Sequence, residues 1–346
     1  LFTRVVGRLE KDTDYAVDEK FRSVSINESG IEKVEKIIGV QNIYAPENFR
    51  LVHYLEESLK AHHKLLVGFK GSNKSDKKAY EKSQTVKHVA LSLTGEPIMY
   101  PRINEIVHKF HEQGISTFIV ANAQYPEQIR DLVPITQLYI SLDAPTKELL
   151  HHIDVPLFKD NWERLNQSLD YMAQKKQRTT IRLTIVKGLN DTDLENYAKM
   201  IQKGNPDFIE IKAYMWVGES RERLKKENMP LHEEIVVFTK QLMEHLPEYG
   251  IVTDHVPSRV VMCAKRKFFK NSKWYTWIDF PKFIELSLSG KEFTTDDYLK
   301  ITPGPGLSGK GTLDRRKEWE EKLKKKAEEK QMVSKVDEKT DEMSFW

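Results

Sequence analysis

Short runs of β-branched and aromatic residues alternate with longer amphipathic segments through the middle of this chain. The runs with the length of a strand are 86–93, 117–120, 137–142, 180–186 and 208–212. The segments with a helical period are 46–68, 102–113, 161–174, 193–202 and 232–245. Nearly continuous apolar strands separated by helices are typical of parallel βαβ units that are covered on both faces. The pattern predicts either an open doubly wound sheet or a partial (β/α) barrel.

The composition is that of a globular protein with balanced charge. Hydrophobic residues make up 39% of the 346 residues, and 55 Lys and Arg against 52 Asp and Glu leave a formal charge of +3. The sequence has no apolar run long enough to span a membrane and no secretory leader. We therefore expect a cytoplasmic protein without membrane contact. Because the sequence begins with Leu1, we also expect a fragment, a processed product or an incomplete gene model.

The chain contains a single cysteine, Cys263, in the apolar run RVVMCAKRKF. One thiol excludes an internal disulfide, and it also excludes a zinc or iron–sulfur site built from clustered cysteines of this chain. A lone cysteine in such a run is most often a small buried hydrophobic residue. His62 and His63, like His151 and His152, are adjacent and diverge on a helix, so neither pair predicts a metal site.

Polar residues follow each predicted strand. They are Glu96 and its neighbours after the first strand, Asn122 after the second, Ser141 and Asp143 after the third, Asn190 and its neighbours after the fourth, and Lys212 and Tyr214 after the fifth. In parallel α/β folds the site forms where the carboxyl ends of the strands meet. Taken alone, Gly-Glu-Pro is more often a turn, and Asp143 is about as often a helix cap. Five polar strand ends in register nevertheless predict a binding rim.

Several segments resemble the radical-SAM domain of the 4-demethylwyosine synthases, which act in the synthesis of the tRNA base wybutosine. The resemblance rests on VKHVALSLTGEPIMYP, TFIVANAQ, TQLYISLDAPTK, QRTTIRLTIVKGLN and NPDFIEIKAYMWVGES, and it extends to HEE at 232–234 and to KWYTWIDFPKFIEL. It covers roughly residues 46–303. It implies an α/β fold that is a partial (β/α)6 TIM-like barrel of the radical-SAM type.

The resemblance also implies a reaction and its participants. Enzymes of this family are lyases that use S-adenosylmethionine and a [4Fe-4S] cluster to join pyruvate carbon to N1-methylguanosine-37 of tRNA-Phe. The implied partners are therefore the anticodon loop of tRNA-Phe, pyruvate, and an electron donor such as a flavodoxin-like domain or protein. The chain is expected to be a monomer.

The resemblance places cofactor contacts at the first three strand ends. The implied cofactor-binding residues are Gly95, Glu96, Pro97, Asn122, Ser141 and Asp143. The Gly-Glu-Pro segment is similar to the motif that contacts the methionine amino group of S-adenosylmethionine. Backbone carbonyls and a carboxylate suit that contact, because both accept hydrogen bonds from an ammonium group.

The sequence departs from the family at the cluster loop. The family's CxxxCxxC motif would fall near residues 20–27, where this chain reads KFRSVSIN. Cysteine thiolates hold the iron in such clusters, and serine or arginine cannot replace them. The sequence therefore predicts no metal ligands in this chain and leaves its catalytic residues unknown.

Basic and aromatic residues cluster on or just after the loop of the fifth strand. The predicted RNA-binding residues are Lys212, Tyr214, Arg221, Arg223 and Lys225. Basic side chains neutralise phosphates, while exposed rings stack on unpaired bases. The alternative is that RERLKKE is an ordinary solvated, charged helix.

The sequence divides into three predicted regions. Residues 1–45 show no sustained periodicity of apolar residues and occupy the place of the cluster loop. Residues 46–290 form the barrel, and residues 291–346 form a carboxyl-terminal extension. The extension contains the Gly- and Pro-rich linker TPGPGLSGKG and a charged helix that begins near Arg315.

Three functions remain open. The favoured one is S-adenosylmethionine-dependent tRNA modification in wybutosine synthesis, by an enzyme whose sequence is incomplete or lacks its cluster loop. The second is a degenerate, non-catalytic paralogue that still binds tRNA or S-adenosylmethionine. The third is an unrelated (β/α) enzyme for a phosphorylated substrate, but the chain lacks a glycine-rich phosphate loop.

Overall fold

A computed structural model of the protein describes residues 51–71, 75–92, 96–312, 317 and 321. The helices are α1 (Leu51–Leu66), α2 (Lys77–Ser83), α3 (Ile103–Glu112), α4 (Pro126–Asp131), α5 (Lys147–Asp154), α6 (Asn161–Met172), α7 (Leu194–Gly204), α8 (His232–Glu244) and α9 (Phe280–Leu288). The strands of the main sheet are β1 (His88–Leu91), β2 (Ser116–Ala121), β3 (Gln137–Ser141), β4 (Thr179–Ile185), β5 (Phe208–Ala213), β6 (Tyr249–His255) and β7 (Val260–Lys265). Two small ladders pair β8 (Phe269–Lys270) with β9 (Lys273–Trp274), and β10 (Trp277–Ile278) with β11 (Leu299–Lys300). None of the helices in these residues is long and apolar enough to cross a membrane.

The main sheet has the order β1-β2-β3-β4-β5-β7-β6. Strands β1 to β5 pair in parallel with their neighbours in sequence. Strand β7 is antiparallel to both β5 and β6, so β6 runs in the same direction as β5. The mainly parallel sheet with its helices confirms the predicted partial TIM-like α/β barrel.

The five predicted strands and the predicted helices are present with boundaries within a few residues. The Lys- and Ser-rich segment at 71–84 has the composition of a polar loop, but it contains α2, which begins where the Asp76 side chain accepts hydrogen bonds from the backbone of Lys78 and Ala79. The RERLKKE segment is not a regular helix, because short 3-10 turns occupy Gly218–Glu222 and Lys226–Asn228. The sequence period did not predict α4 or α5, because α4 has only six residues and α5 only eight.

The two faces of the sheet differ in polarity. On β4, Ile181, Leu183 and Ile185 face the helices and are no more than 2% exposed. This face joins helix side chains in the largest hydrophobic core of the described residues. Arg182 and Thr184 alternate with those residues and therefore lie on the other face, the concave inner face of the barrel. Polar groups on the inner strands are thus confined to one side.

The segment that follows β7 packs at the amino ends of the parallel strands. There Ile278, Phe283, Phe293 and Tyr298 form a hydrophobic cluster with Phe118 of β2 at its edge. The predicted boundary between residues 290 and 291 falls inside this cluster. We propose instead that the folded body continues through residue 312.

The Gly- and Pro-rich segment predicted as a linker is held against β6. The backbone N–H of Gly306 donates to Val252 (2.7 Å), and Gly306 has a φ of 111°, a value that favours glycine. Both the backbone N–H and the hydroxyl of Ser308 donate to the Asp254 carboxylate (2.9 and 3.0 Å). Asp254 also accepts from Nε2 of the buried His232 (2.9 Å). The segment is therefore a strap on the barrel rather than a free linker. The charged helix predicted from Arg315 lies almost entirely outside the described residues.

Replacing Tyr298 with Phe tests how the carboxyl-terminal segment is attached. The buried Tyr298 hydroxyl accepts from the Arg178 backbone N–H (3.0 Å) and donates to the Thr136 carbonyl (3.3 Å). Tyr298→Phe keeps the ring but leaves both backbone groups unpaired, which should lower the free energy of unfolding by about 1–3 kcal/mol. Urea denaturation measures this change. Tyr275→Phe is the control, since its hydroxyl makes no hydrogen bond within the described part of the chain, and an equal loss in both variants would contradict the attachment.

Candidate functional site

Glu96 and Asn122 join the ends of β1 and β2 at the carboxyl edge of the sheet. The backbone N–H of Asn122 donates to Oε2 of Glu96 at 2.8 Å. The other carboxylate oxygen, Oε1, is buried and has no hydrogen-bond partner among the described residues. Burial raises the pKa of Glu96 to about 7, and the backbone N–H groups of Asn122 and Ile98 oppose this only in part. The site therefore has an unused acceptor suited to a cationic donor.

The remaining predicted cofactor residues lie on neighbouring elements. Pro97 opens the short 3-10 turn Pro97–Met99 directly after Glu96. Ser141 ends β3, which pairs with β2, and Asp143 follows it. Gly95 lies outside the described residues. The structure thus brings Glu96, Pro97 and Asn122 together and places Ser141 and Asp143 at the adjacent strand end.

The backbone of Asp143 is fixed by a residue that the sequence analysis noticed only as part of a loop. Asn190 is 1% exposed, and its Nδ2 donates to the carbonyls of Asp143 (2.8 Å) and Thr184 (2.9 Å). Its Oδ1 accepts from the backbone N–H of Val186. These bonds tie the β3 and β4 loops together. Burial and the neighbouring Asp154 carboxylate raise the pKa of the Asp143 carboxyl above its usual range.

The inner face of the sheet carries an ion pair that the sequence analysis did not identify. Nε of Arg182 on β4 donates to Oε1 of Glu210 on β5 at 2.7 Å. The Arg182 guanidinium also lies 4.8 Å from the ring centre of Tyr139 on β3. The signal in the sequence was a charge inside each apolar run, in IRLTI and FIEIK. Alternation along the strands places these charges opposite the helix-facing core.

The loop after β5 presents the predicted RNA-binding cations at the surface. Arg221, Arg223 and Lys225 are exposed, and the Arg221 guanidinium lies 5.0 Å from the ring centre of Trp216. Nε1 of Trp216 donates to the Leu224 carbonyl at 2.9 Å, which closes the loop on itself. The structure brings these cations together on one loop.

Two predicted RNA contacts lie elsewhere. Lys212 is half-buried on the inner face of β5 rather than on the loop. The prediction that the Tyr214 ring stacks on a base is wrong, because that residue is only 8% exposed and its hydroxyl donates to Ser220 at 2.8 Å. Tyr214 directly follows an apolar strand, so its ring continues into the core.

Cys263 lies on β7 within the hydrophobic core and is 0% exposed. Burial raises the pKa of its thiol, which disfavours the thiolate. The residue pairs with Ile209 and Ile251 in the sheet. It therefore places no ligand at the rim. The segment 20–27, where the cluster loop was sought, lies outside the described residues.

Sequence comparison finds three family models in the chain. The radical SAM superfamily matches residues 77–201, and the model described as wyosine base formation matches residues 203–265. The SecA preprotein cross-linking domain matches residues 1–68. The first two matches together cover the strands that form the rim.

A solved structure of TYW1 with a lysine–pyruvate adduct bound superimposes on the chain with a TM-score of 0.58 and 35% sequence identity. The match covers 63% of this chain and 70% of that one. This chain belongs to the TYW1 family. The TYW1 tRNA 4-demethylwyosine synthase of Danio rerio is 45% identical over 264 residues, and the synthase of Saccharomyces cerevisiae is 42% identical over 268 residues.

The chain spans about a third of the length of these curated relatives. The alignments cover 74% and 75% of this TYW1-family chain but 36% and 33% of the relatives. The family assignment confirms the resemblance found in the sequence.

The raised pKa of Glu96 predicts how stability depends on pH. A glutamate ionises near its ordinary pKa of 4.5 in the unfolded chain but near 7 in the folded one. The folded protein is therefore penalised progressively as the pH rises through that interval. Glu96→Gln removes the penalty, so the stability of the variant relative to the wild type should rise by about 3 kcal/mol between pH 4.5 and 7.

Urea denaturation at several pH values measures this difference. Glu105→Gln is the control, because a hydrogen bond from Arg102 lowers the pKa of that exposed carboxyl. Stability curves for Glu96→Gln and the wild type that stay parallel across the interval would show that Glu96 titrates normally.

Proposed function

We propose that this chain supplies the binding surfaces for S-adenosylmethionine and for tRNA in a 4-demethylwyosine synthase. The observation that carries the proposal is Oε1 of Glu96 at the carboxyl edge of the sheet, which is buried and has no hydrogen-bond partner among the residues that the structure describes. Burial removes an acceptor in that position from water, which costs free energy. A hydrogen bond from a charged donor would offset that cost. The reaction proposed is the conversion of N1-methylguanosine-37 of tRNA-Phe, with pyruvate as the second substrate.

The residues at the rim fit the amino-acid end of S-adenosylmethionine. Glu96 would accept from its ammonium group, and the exposed Asn122 and half-buried Ser141 offer polar groups on the next two strands. Asn190 would hold the Asp143 backbone in place beside them. When bound, S-adenosylmethionine supplies the adenosyl group on which radical-SAM chemistry depends.

A [4Fe-4S] cluster does not fit the residues of this chain. Such a cluster needs several cysteine thiolates, and the 346 residues contain one cysteine, whose thiol is buried in the core. The same observation favours a second candidate function, a non-catalytic paralogue that still binds tRNA or S-adenosylmethionine.

The loop after β5 would receive the tRNA. Arg221, Arg223 and Lys225 are exposed there, and the half-buried Trp216 stands next to them. The loop is braced by Asn228, whose Nδ2 donates to the Lys187 carbonyl at 2.9 Å and whose own carbonyl accepts from the Lys187 N–H. A braced cationic loop can meet the phosphates of an anticodon loop with little loss of chain entropy. The reaction would also need an electron donor. We further propose that the protein is a monomer.

Replacing Arg221, Arg223 and Lys225 with Ala tests the RNA interface. Each lost phosphate contact should reduce the slope of log affinity against log salt by about 0.7 to 0.9. Affinity for an unmodified tRNA-Phe transcript should therefore fall, and most steeply at low salt. Fluorescence anisotropy over a salt series measures both quantities.

The matched control replaces Lys270, Lys273 and Lys291 with Ala. These lysines are also exposed but lie in the segment that packs at the amino ends of the strands. The control should leave the slope unchanged. If both triple variants reduce the slope equally, the binding is non-specific and the loop is not the RNA site.

A further inference from the structure

A groove with an apolar lining lies between α8 and the loop that follows β4. Its volume is about 320 Å³, and its apolar lining includes Ile185, Ile235, Val237 and Phe238. Val237 is 54% exposed, whereas Ile235 and Phe238 are buried. Apolar surface that stays in contact with water costs free energy, so a groove of this kind is typical of a site that another segment covers.

Three carboxylates also line the groove, those of Asp191, Glu233 and Glu234. Glu234 forms an ion pair with Lys187, which lies on the opposite side of the groove. Arg259 lies near both glutamates but donates to a backbone carbonyl (2.6 Å). Neither Asp191 nor Glu233 has an ion-pair partner within the residues that the structure describes. The groove therefore suits an occupant that carries both apolar and cationic side chains.

The strap brings the chain to the mouth of this groove. Oγ1 of Thr312 accepts from the backbone N–H of His232 (2.8 Å). The backbone N–H of Thr312 donates to Oε2 of Glu233 (3.1 Å), which lines the groove. The residues that follow Thr312 therefore start beside the groove, at the first turn of α8.

The sequence directly after Thr312 has the composition that the groove requires. It reads LDRRKEWEEKL. In the charged helix predicted from the sequence, Arg316, Trp319 and Leu323 share one face, because they are three and four residues apart. Lys317, which the structure describes, is exposed and lies nearly opposite Trp319 at a helical period. One face of the segment thus combines a cation with two apolar side chains.

The length of the segment also matches the groove. At a rise of 1.5 Å per residue, Trp319 lies about 10 Å beyond Thr312 along a helix. On α8, Val237 and Gln241 lie about 6 and 12 Å beyond Glu233. Both Val237 and Gln241 line the groove. A segment that runs alongside α8 therefore places Trp319 between them.

We propose that residues 313–323 dock in this groove, with Trp319 on the apolar lining and Arg316 beside Glu233 and Asp191. The occupant is the chain's own carboxyl-terminal segment, which the strap delivers to α8. Docking removes the Val237 side chain from water and gives the two carboxylates a cationic partner. It requires neither the cofactor assignment nor the tRNA assignment.

Thiol labelling of the full chain tests this docking. Val237→Cys introduces a thiol into the groove, and the native Cys263 does not compete because it is 0% exposed. The docked segment should slow the reaction of the new thiol with a maleimide by about tenfold or more. Trp319→Ala in the same background should restore the rate, because a buried tryptophan supplies much of the binding energy of such contacts. Mass spectrometry follows the reaction.

Matched controls separate docking from general changes in reactivity. Lys240→Cys places a thiol on α8 outside the groove, so its rate should be the same with and without Trp319→Ala. Lys317→Ala removes an exposed cation from the segment and should leave the protection of Val237→Cys unchanged. The double variant Arg315→Glu with Arg316→Glu should reduce that protection.

Each outcome decides for or against the docking. Protection that is independent of protein concentration and is removed by Trp319→Ala supports it. Equal rates for Val237→Cys with and without Trp319→Ala overturn it. Protection that grows with protein concentration assigns the groove to a second copy of the chain and overturns it as well. Equal effects of Lys317→Ala and the double arginine variant would indicate a diffuse attraction of charges instead of a docked face.

Discussion

The division of the parallel sheet into two unlike faces is the constraint on which the rest of this structure depends. Helices cover one face, so most of the residues of β2 to β5 that point towards them are apolar, and these apolar residues belong to the main core. The polar residues that the strands carry are left on the inner face and at the carboxyl ends. The ion pair between Arg182 and Glu210 and the rim residue Glu96 follow from that single arrangement.

Buried hydrogen bonds then fix the two ends of the barrel. At the carboxyl end, Asn190 satisfies the carbonyls of two strand-end loops and thereby sets their spacing. At the amino end, the buried Arg178 donates to Gln137 (2.9 Å) and Thr276 (3.0 Å) and lies over Phe208. Unpaired groups at these depths would cost stability, so both ends are held rigidly. A rigid frame suits a site whose ligand contacts come from several separate strands.

The sequence predicted the barrel and the location of its rim, because strand and helix periods are local properties. It placed Glu96 and Asn122 on one rim, since the carboxyl ends of parallel strands meet, and the structure joins them by a hydrogen bond. It could not predict that the Tyr214 ring turns into the core, nor that the strap at Ser308 bonds Asp254, because both depend on contacts between distant segments. Arg182 and Glu210 were visible as charges in apolar runs, but only the register of β4 and β5 makes them a pair.

The titration of S-adenosylmethionine into the wild type and Glu96→Gln tests the central claim most directly. The account predicts that the wild type binds S-adenosylmethionine and that Glu96→Gln binds it about ten- to a hundredfold more weakly, because the ammonium group loses a charged acceptor. Glu105→Gln, on an exposed carboxyl paired with Arg102, should bind as the wild type does. Equal affinity in the wild type and Glu96→Gln would contradict the assignment of the cofactor site to this rim.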